Sequence, residues 1–144
     1  MNNNRMKAAV GALAGGAALA LLGPGAPALA FDSDGLHLEF TVQSPATLVA
    51  RGAAVDVAVD VECNAQYAYL DIQLTERVGS RIASGYGNTR VTCTGVTQRV
   101  LVRVVASSDK SFAKGSAVAS AFLYSCTGTV CGSESASTTI KVTK

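Results

Sequence analysis

The chain has 144 residues, 49% of them hydrophobic and 6% aromatic, with no tryptophan and a formal net charge of +2. Arg5 and Lys7 account for that surplus, so residues 31–144 are electrically balanced and have no electrostatic reason to seek nucleic acid or an anionic membrane. The length suits a single domain with one modest core.

Residues 1–30 read as a secretory signal peptide. A short basic start precedes the apolar run AAVGALAGGAALALLG, and small residues at Ala28 and Ala30 mark a cleavage point after Ala30. The apolar run is short for a bilayer span, nothing later is longer, and the C-terminal TTIKVTK carries no membrane anchor. The expected product is an exported domain over residues 31–144. Its first residues, FDSDG (31–35), resemble the opening of a calcium loop, but the other EF-hand ligands are missing, so Asp32 and Asp34 are not read as a metal site.

From there the chain is written in period two, the spacing that sends alternate side chains to opposite faces of a strand. LHLEFTV (36–42) has Leu36, Leu38, Phe40 and Val42 in phase. AAVDVAVDVEC (53–63) buries Val55, Val57, Val59, Val61 and Cys63 and turns Asp56, Asp60 and Glu62 outward. In AYLDIQLTE (68–76), Ala68, Leu70, Ile72 and Leu74 share one face; Tyr69, Asp71, Gln73 and Thr75 share the other. RIASGYG (81–87) is short and broken by glycine, as an edge strand would be. VTQRVLVRVVA (96–106) predicts Val96, Val100, Val102, Val104 and Ala106 inward, with Arg99 and Arg103 outward. KGSAVASAFLYS (114–125) is fairly apolar on both faces, and ASTTIKV (136–142) puts Ala136, Thr138, Ile140 and Val142 in one phase.

About seven short strands at this spacing predict an all-β domain, a two-sheet antiparallel sandwich of immunoglobulin-like order, with a closed barrel as the competitor. In that order the second and fifth predicted strands are antiparallel neighbours. Aligning Asp60 with Arg99 also aligns Asp56 with Arg103 and sets Val59, Val57 and Val55 opposite Val100, Val102 and Val104. Charge pairing and core pairing agree in one register.

The cysteines, at 63, 93, 126 and 131, all lie in the exported part, where an even count in a small domain reads as two disulfides. CTGTVC (126–131) has too long a spacer for a redox motif and no helix after it, and Cys63 with Cys93 is not a close-spaced zinc pair. The stretch is a staple.

VDVEC (59–63), a second cysteine followed by TG (93–95), and the run Gly115, Ala117, Ala119, Ala121 together resemble uncharacterised secreted immunoglobulin-like domains of actinobacteria. The resemblance covers most of residues 48–143. It implies the sandwich fold and a Cys63–Cys93 disulfide, and it carries no catalytic residue. The chain is also similar, more distantly, to the neocarzinostatin-type apoproteins, secreted sandwiches with a C-x4-C pair, without a match to their chromophore pocket. The rival pairing is Cys63–Cys126; alanines facing the core would turn Cys126 outward while Cys63 points inward with its valines, which leaves Cys126–Cys131.

The sequence lacks the parts for catalysis. His37 is the only histidine and lies on the polar side of its strand, where it reads as solvated; no thiol is expected to be free, and a zinc site lacks ligands. Asp56, Asp60 and Glu62 read as a salt-bridged outer face and not as paired acid catalysts. No cofactor is implied.

What remains is an exported binding domain for a protein, glycan or small ligand outside the cell, with a secreted protease inhibitor presenting CTGTVCG as the alternative. Two surfaces compete for the binding role. One is an apical end braced by both disulfides and offering Tyr67, Tyr86, Asn88 and Arg90 from the segments after the second, fourth and sixth strands. The other, if the alanines of residues 114–125 face the core, is an outward aromatic face of Tyr67, Tyr69, Val118, Phe122 and Tyr124.

Overall fold

The computed structural model describes residues 35–144. The signal-peptide reading of residues 1–30 and the calcium-loop reading of Asp32 and Asp34 lie outside the described residues.

Eight strands follow in order: β1 (Leu38–Val42), β2 (Ala46–Val49), β3 (Ala54–Cys63), β4 (Tyr67–Val78), β5 (Arg81–Thr92), β6 (Gln98–Ala106), β7 (Gly115–Thr127) and β8 (Val130–Thr143). A single 3-10 turn at Ala50–Gly52 leads into β3, and among the described residues no helix is long and apolar enough to cross a membrane. The two tight hairpins, β4–β5 and β7–β8, each close over two residues. Gly79 and Gly128 take the first turn position with φ of 64° and 62°, the left-handed conformation that matches the twist of paired strands.

Alternation of Val, Leu, Ile and Ala builds the core as the sequence predicts. Val55, Val57, Val59 and Val61 of β3, Leu70, Ile72 and Leu74 of β4, and Ala117, Ala119, Ala121 and Leu123 of β7 are all buried. Removing one such side chain from water contributes about 1.5–3 kcal/mol for a Val or Leu. The same phase carries Glu76 inward at the end of β4, where Oε2 accepts the Ala113 amide and ties down the loop before β7. Phe112 anchors that loop too, buried, with its amide donating to the Gly52 carbonyl. Val96 departs from the expectation: it precedes β6 and is exposed. Thr138, predicted inward, is exposed as well.

The β3–β6 register is the predicted one. Asp60 faces Arg99, Asp56 faces Arg103, and Val59, Val57 and Val55 face Val100, Val102 and Val104. Cys63–Cys93 and Cys126–Cys131 form the two disulfides, and the Cys63–Cys126 alternative does not occur. Parity decides this: Cys63 is buried with the valines of β3, and Cys126 is exposed.

The architecture corrects the two-sheet immunoglobulin sandwich. The strands form one sheet that closes into a seven-stranded barrel, β3-β2-β8-β7-β4-β5-β6 and back to β3, with β1 added along β3. Two short seams do the closing. β2, not anticipated from the sequence, pairs antiparallel to β3 and parallel to β8 at Ala46↔Val142 and Thr47↔Thr143. On the other side β5 reaches β6 at Gly85↔Ala106 and Tyr86↔Val105.

β5 is not a short edge strand but 12 residues long, and its glycines mark the seam instead of an edge. A Cβ at Gly85 would lie 2.4 Å from the Val105 carbonyl oxygen, and one at Gly87 would lie 2.3 Å from that of Arg103. Only glycine lets the two backbones approach this closely. Both disulfides sit at one end of the barrel, where β3, β5 and β7 end and β4 and β8 begin.

Candidate binding surface

The outward positions of β5, β4, β7 and β8 form one continuous face. The ladders set Arg90, Tyr69, Tyr124 and Ser133 in one row, and Asn88, Asp71, Phe122 and Ser135 in the next. Tyr86, Gln73, Ser120 and Ser137 make a third. Cross-strand neighbours on one face lie within side-chain reach.

The aromatic residues of this face touch in series. Arg90 sits 4.8 Å above the ring centroid of Tyr67, a cation–π contact. Tyr67 meets Tyr69 edge-on at 5.6 Å, Tyr69 stacks on Tyr124 at 5.3 Å, and Tyr124 meets Phe122 at 5.7 Å. Tyr69, Phe122 and Tyr124 remain 37%, 42% and 37% exposed, so the rings support one another without being covered. Beside Phe122 and Tyr124 the surface dips into an open depression of about 490 Å³, whose floor includes the Cys126–Cys131 disulfide and Ser133.

Polar groups border the rings. The Tyr86 hydroxyl donates to Asp71 Oδ1 at 2.5 Å, and Asn88 Nδ2 donates to the same hydroxyl at 3.2 Å. The bond to the Asp71 carboxylate holds the Tyr86 phenol above its ordinary pKa, because ionisation would set two negative charges side by side. Tyr86 is thus a neutral donor at physiological pH.

These placements alter the two-surface expectation. Tyr86, Asn88 and Arg90 belong to β5 and not to a loop after it, and Tyr67 opens β4. All four point to the side that carries Tyr69, Phe122 and Tyr124. The apical group and the outer face are one surface. The sequence separates them because Gly87–Asn88 has turn-forming composition, so residues 86–93 read as a segment after the fourth strand. Asn64, in the true turn, is occupied structurally: its Oδ1 accepts the His37 amide and its Nδ2 donates to the Gly35 carbonyl.

The opposite outer face is built differently. Arg99 binds Asp60 through two hydrogen bonds of 2.8 and 3.0 Å, and Arg103 binds Asp56 through two of 2.8 and 2.9 Å. These bonds hold both carboxyls below the usual carboxylate range. His37 Nε2 lies 3.5 Å from Glu62 and 3.9 Å from Glu39, half-exposed. Among the described residues no group of three or more His, Cys, Asp or Glu side chains is placed to hold a metal ion.

Comparison with family models, with curated proteins and with solved structures gave no match, so the surface is interpreted from its own residues.

Proposed function

We propose that this chain is an exported, non-catalytic recognition domain that binds an extracellular ligand on the outer face of β5, β4, β7 and β8. The observation that carries this reading is the series Arg90, Tyr67, Tyr69, Tyr124 and Phe122: five side chains in mutual contact, left accessible and opening onto the depression. Tyrosine and arginine are enriched among the residues that carry binding energy at interfaces, and tyrosine brings large area with few rotors and a polar tip. The rings are already ordered by one another, which lowers the entropy cost of docking. Export is supported by two disulfides in a domain of this size and by the leader-like residues 1–30.

The inhibitor alternative has less support. Thr127 pairs with Val130, so the segment between Cys126 and Cys131 is a tight hairpin turn, with no extended stretch to lie in a protease cleft.

The test is a binding screen of the domain against glycan arrays and fractionated culture medium, run beside two double variants. Any ligand should bind Tyr69→Ala/Tyr124→Ala at least about tenfold more weakly. It should bind Asp60→Asn/Arg99→Gln as the parent does. The reverse pattern, or nanomolar inhibition across a protease panel, would overturn the reading.

A further inference from the structure

The ring of strands closes β8 only at its far end. β2 meets it at Val142 and Thr143, while residues 131–140 pair with β7 alone among the described residues. The direction of the free backbone groups follows from the ladder. The Lys141 amide points away from β7 and donates to Ser44 Oγ, and the β7–β8 register runs from Gly115↔Val142 to Thr127↔Val130 without a bulge. Alternation therefore turns the N–H and C=O groups of Ser133, Ser135, Ser137 and Thr139 to the open side. The Cys126–Cys131 pair, with Cα atoms 4.0 Å apart, agrees: that close spacing belongs to a non-hydrogen-bonded pair, so the Cys131 backbone groups face the same way.

Natural sheets guard such edges with lysine, proline, bulges or a covering loop. Among the described residues no lysine, proline, bulge or covering loop occurs between Gly132 and Thr139; the one charge there, Glu134, lies on the core side of the strand. The outward side chains there are Ser133, Ser135, Ser137 and Thr139, all small, uncharged and exposed. Thr138, on the core side of the strand, is also exposed, as expected where no neighbour strand covers the flank.

We propose that the open edge of β8 receives an extended segment of a partner protein carrying large apolar side chains at every second position. The main chain of the added strand takes the outward groups of Ser133, Ser135, Ser137 and Thr139, and its outward side chains lean across the serines toward Phe122 and Tyr124. The depression lined by Phe122, Tyr124, the disulfide and Ser133 lies in their path. Main-chain bonds then supply affinity while the hollow selects the side chain. A second copy of β8 fits less well: its own outward residues are serines and a threonine, too small to fill that space. This inference rests on the recognition reading above and names the chemistry of the partner.

The test pans a phage-displayed library of random linear peptides on the purified protein, then measures synthetic versions of the enriched peptides. Enriched peptides should alternate large apolar residues. Each should slow amide exchange at Ser133, Ser135, Ser137 and Thr139, which exchange quickly in the free protein while Glu134, Ala136 and Thr138 are already held by β7. Ser135→Pro and Ser137→Pro should each weaken binding at least about tenfold while the fold survives, because each removes only an outward N–H from an edge strand. Library output without alternation, or equal binding by both proline variants, would overturn the proposal. So would edge amides already protected in the free protein: protection that grows with concentration assigns the edge to a second copy, and protection independent of concentration assigns it to the chain itself. Binding kept by the proline variants but lost in Tyr69→Ala/Tyr124→Ala would reject the added strand and leave the recognition face standing. Indifference of both sets would reject the face too.

Discussion

The outer face of β3 and β6 and the outer face of β5, β4, β7 and β8 arise from the same two-residue alternation, yet they end in opposite states. On the first, Asp56, Asp60, Arg99 and Arg103 spend their hydrogen bonds on one another in two bidentate pairs. A partner docking there would have to break bonds that water and protein already satisfy. On the second, rings lie against rings, which orders them but leaves their surface open, and the polar tips of Tyr86, Asn88 and Arg90 stand beside them. The first face selects a register. The second is left open, as the proposed recognition role requires.

The largest effect should come from the link that ties the two faces together. Cys63 ends β3 and Cys93 follows β5, closing a separation of 30 residues. Cys63→Ser/Cys93→Ser should cost about 3 kcal/mol in urea unfolding, because the open loop restores entropy to the unfolded chain. Next is the seam. Gly87→Ala places a methyl against the Arg103 backbone at 2.3 Å, a contact that no side-chain motion relieves. It should lower stability by about 1–3 kcal/mol, and exchange of the β5 amides nearest β6 should quicken while the β3–β6 ladder holds.

On the proposed recognition face, binding should fall further than stability. Tyr69→Ala/Tyr124→Ala removes an aromatic stack worth about 0.5–1.5 kcal/mol, a modest change in the urea midpoint beside a loss of ligand.

The smallest effect belongs to the ion pairs, and its sign depends on pH. Arg103 and Arg99 hold the Asp56 and Asp60 carboxyls below their unfolded values, so the folded state binds these protons less tightly. The pairs therefore stabilise the fold above the unfolded carboxylate pKa of about 3.9, and that contribution fades as pH falls through the folded values. The unfolding midpoints of the parent and of Asp56→Asn/Asp60→Asn should differ at neutral pH and converge in acid. A gap that persists in acid would show that the asparagines perturb packing and not charge.

Much of this was legible in the chain. Val55 to Val59 set against Val100 to Val104 fixed one register, because charges and apolar residues demanded the same alignment. Parity removed the Cys63–Cys126 rival, and the Cys63–Cys93 pairing came from what the resemblance implies. Closure was not legible, since it depends on seams too short to carry periodicity. ATLV in β2 is four residues long, and Gly85 and Gly87 carry no side chain to announce that they pack against β6. The start of β8 was hidden for the same reason: CGSES (131–135) carries no apolar alternation and becomes a strand only because β7 templates it. The unity of the proposed binding surface is hidden by β5, whose glycines read as an edge and whose last residues read as a loop.

The central claim is that recognition occurs on the aromatic face. Hydrogen-exchange footprinting of the domain with its bound ligand tests it most directly. Protection confined to residues 67–73, 86–90, 120–124 and 133–137 is the predicted result. Protection centred on residues 56–60 and 99–103, with the aromatic face unchanged, would contradict it.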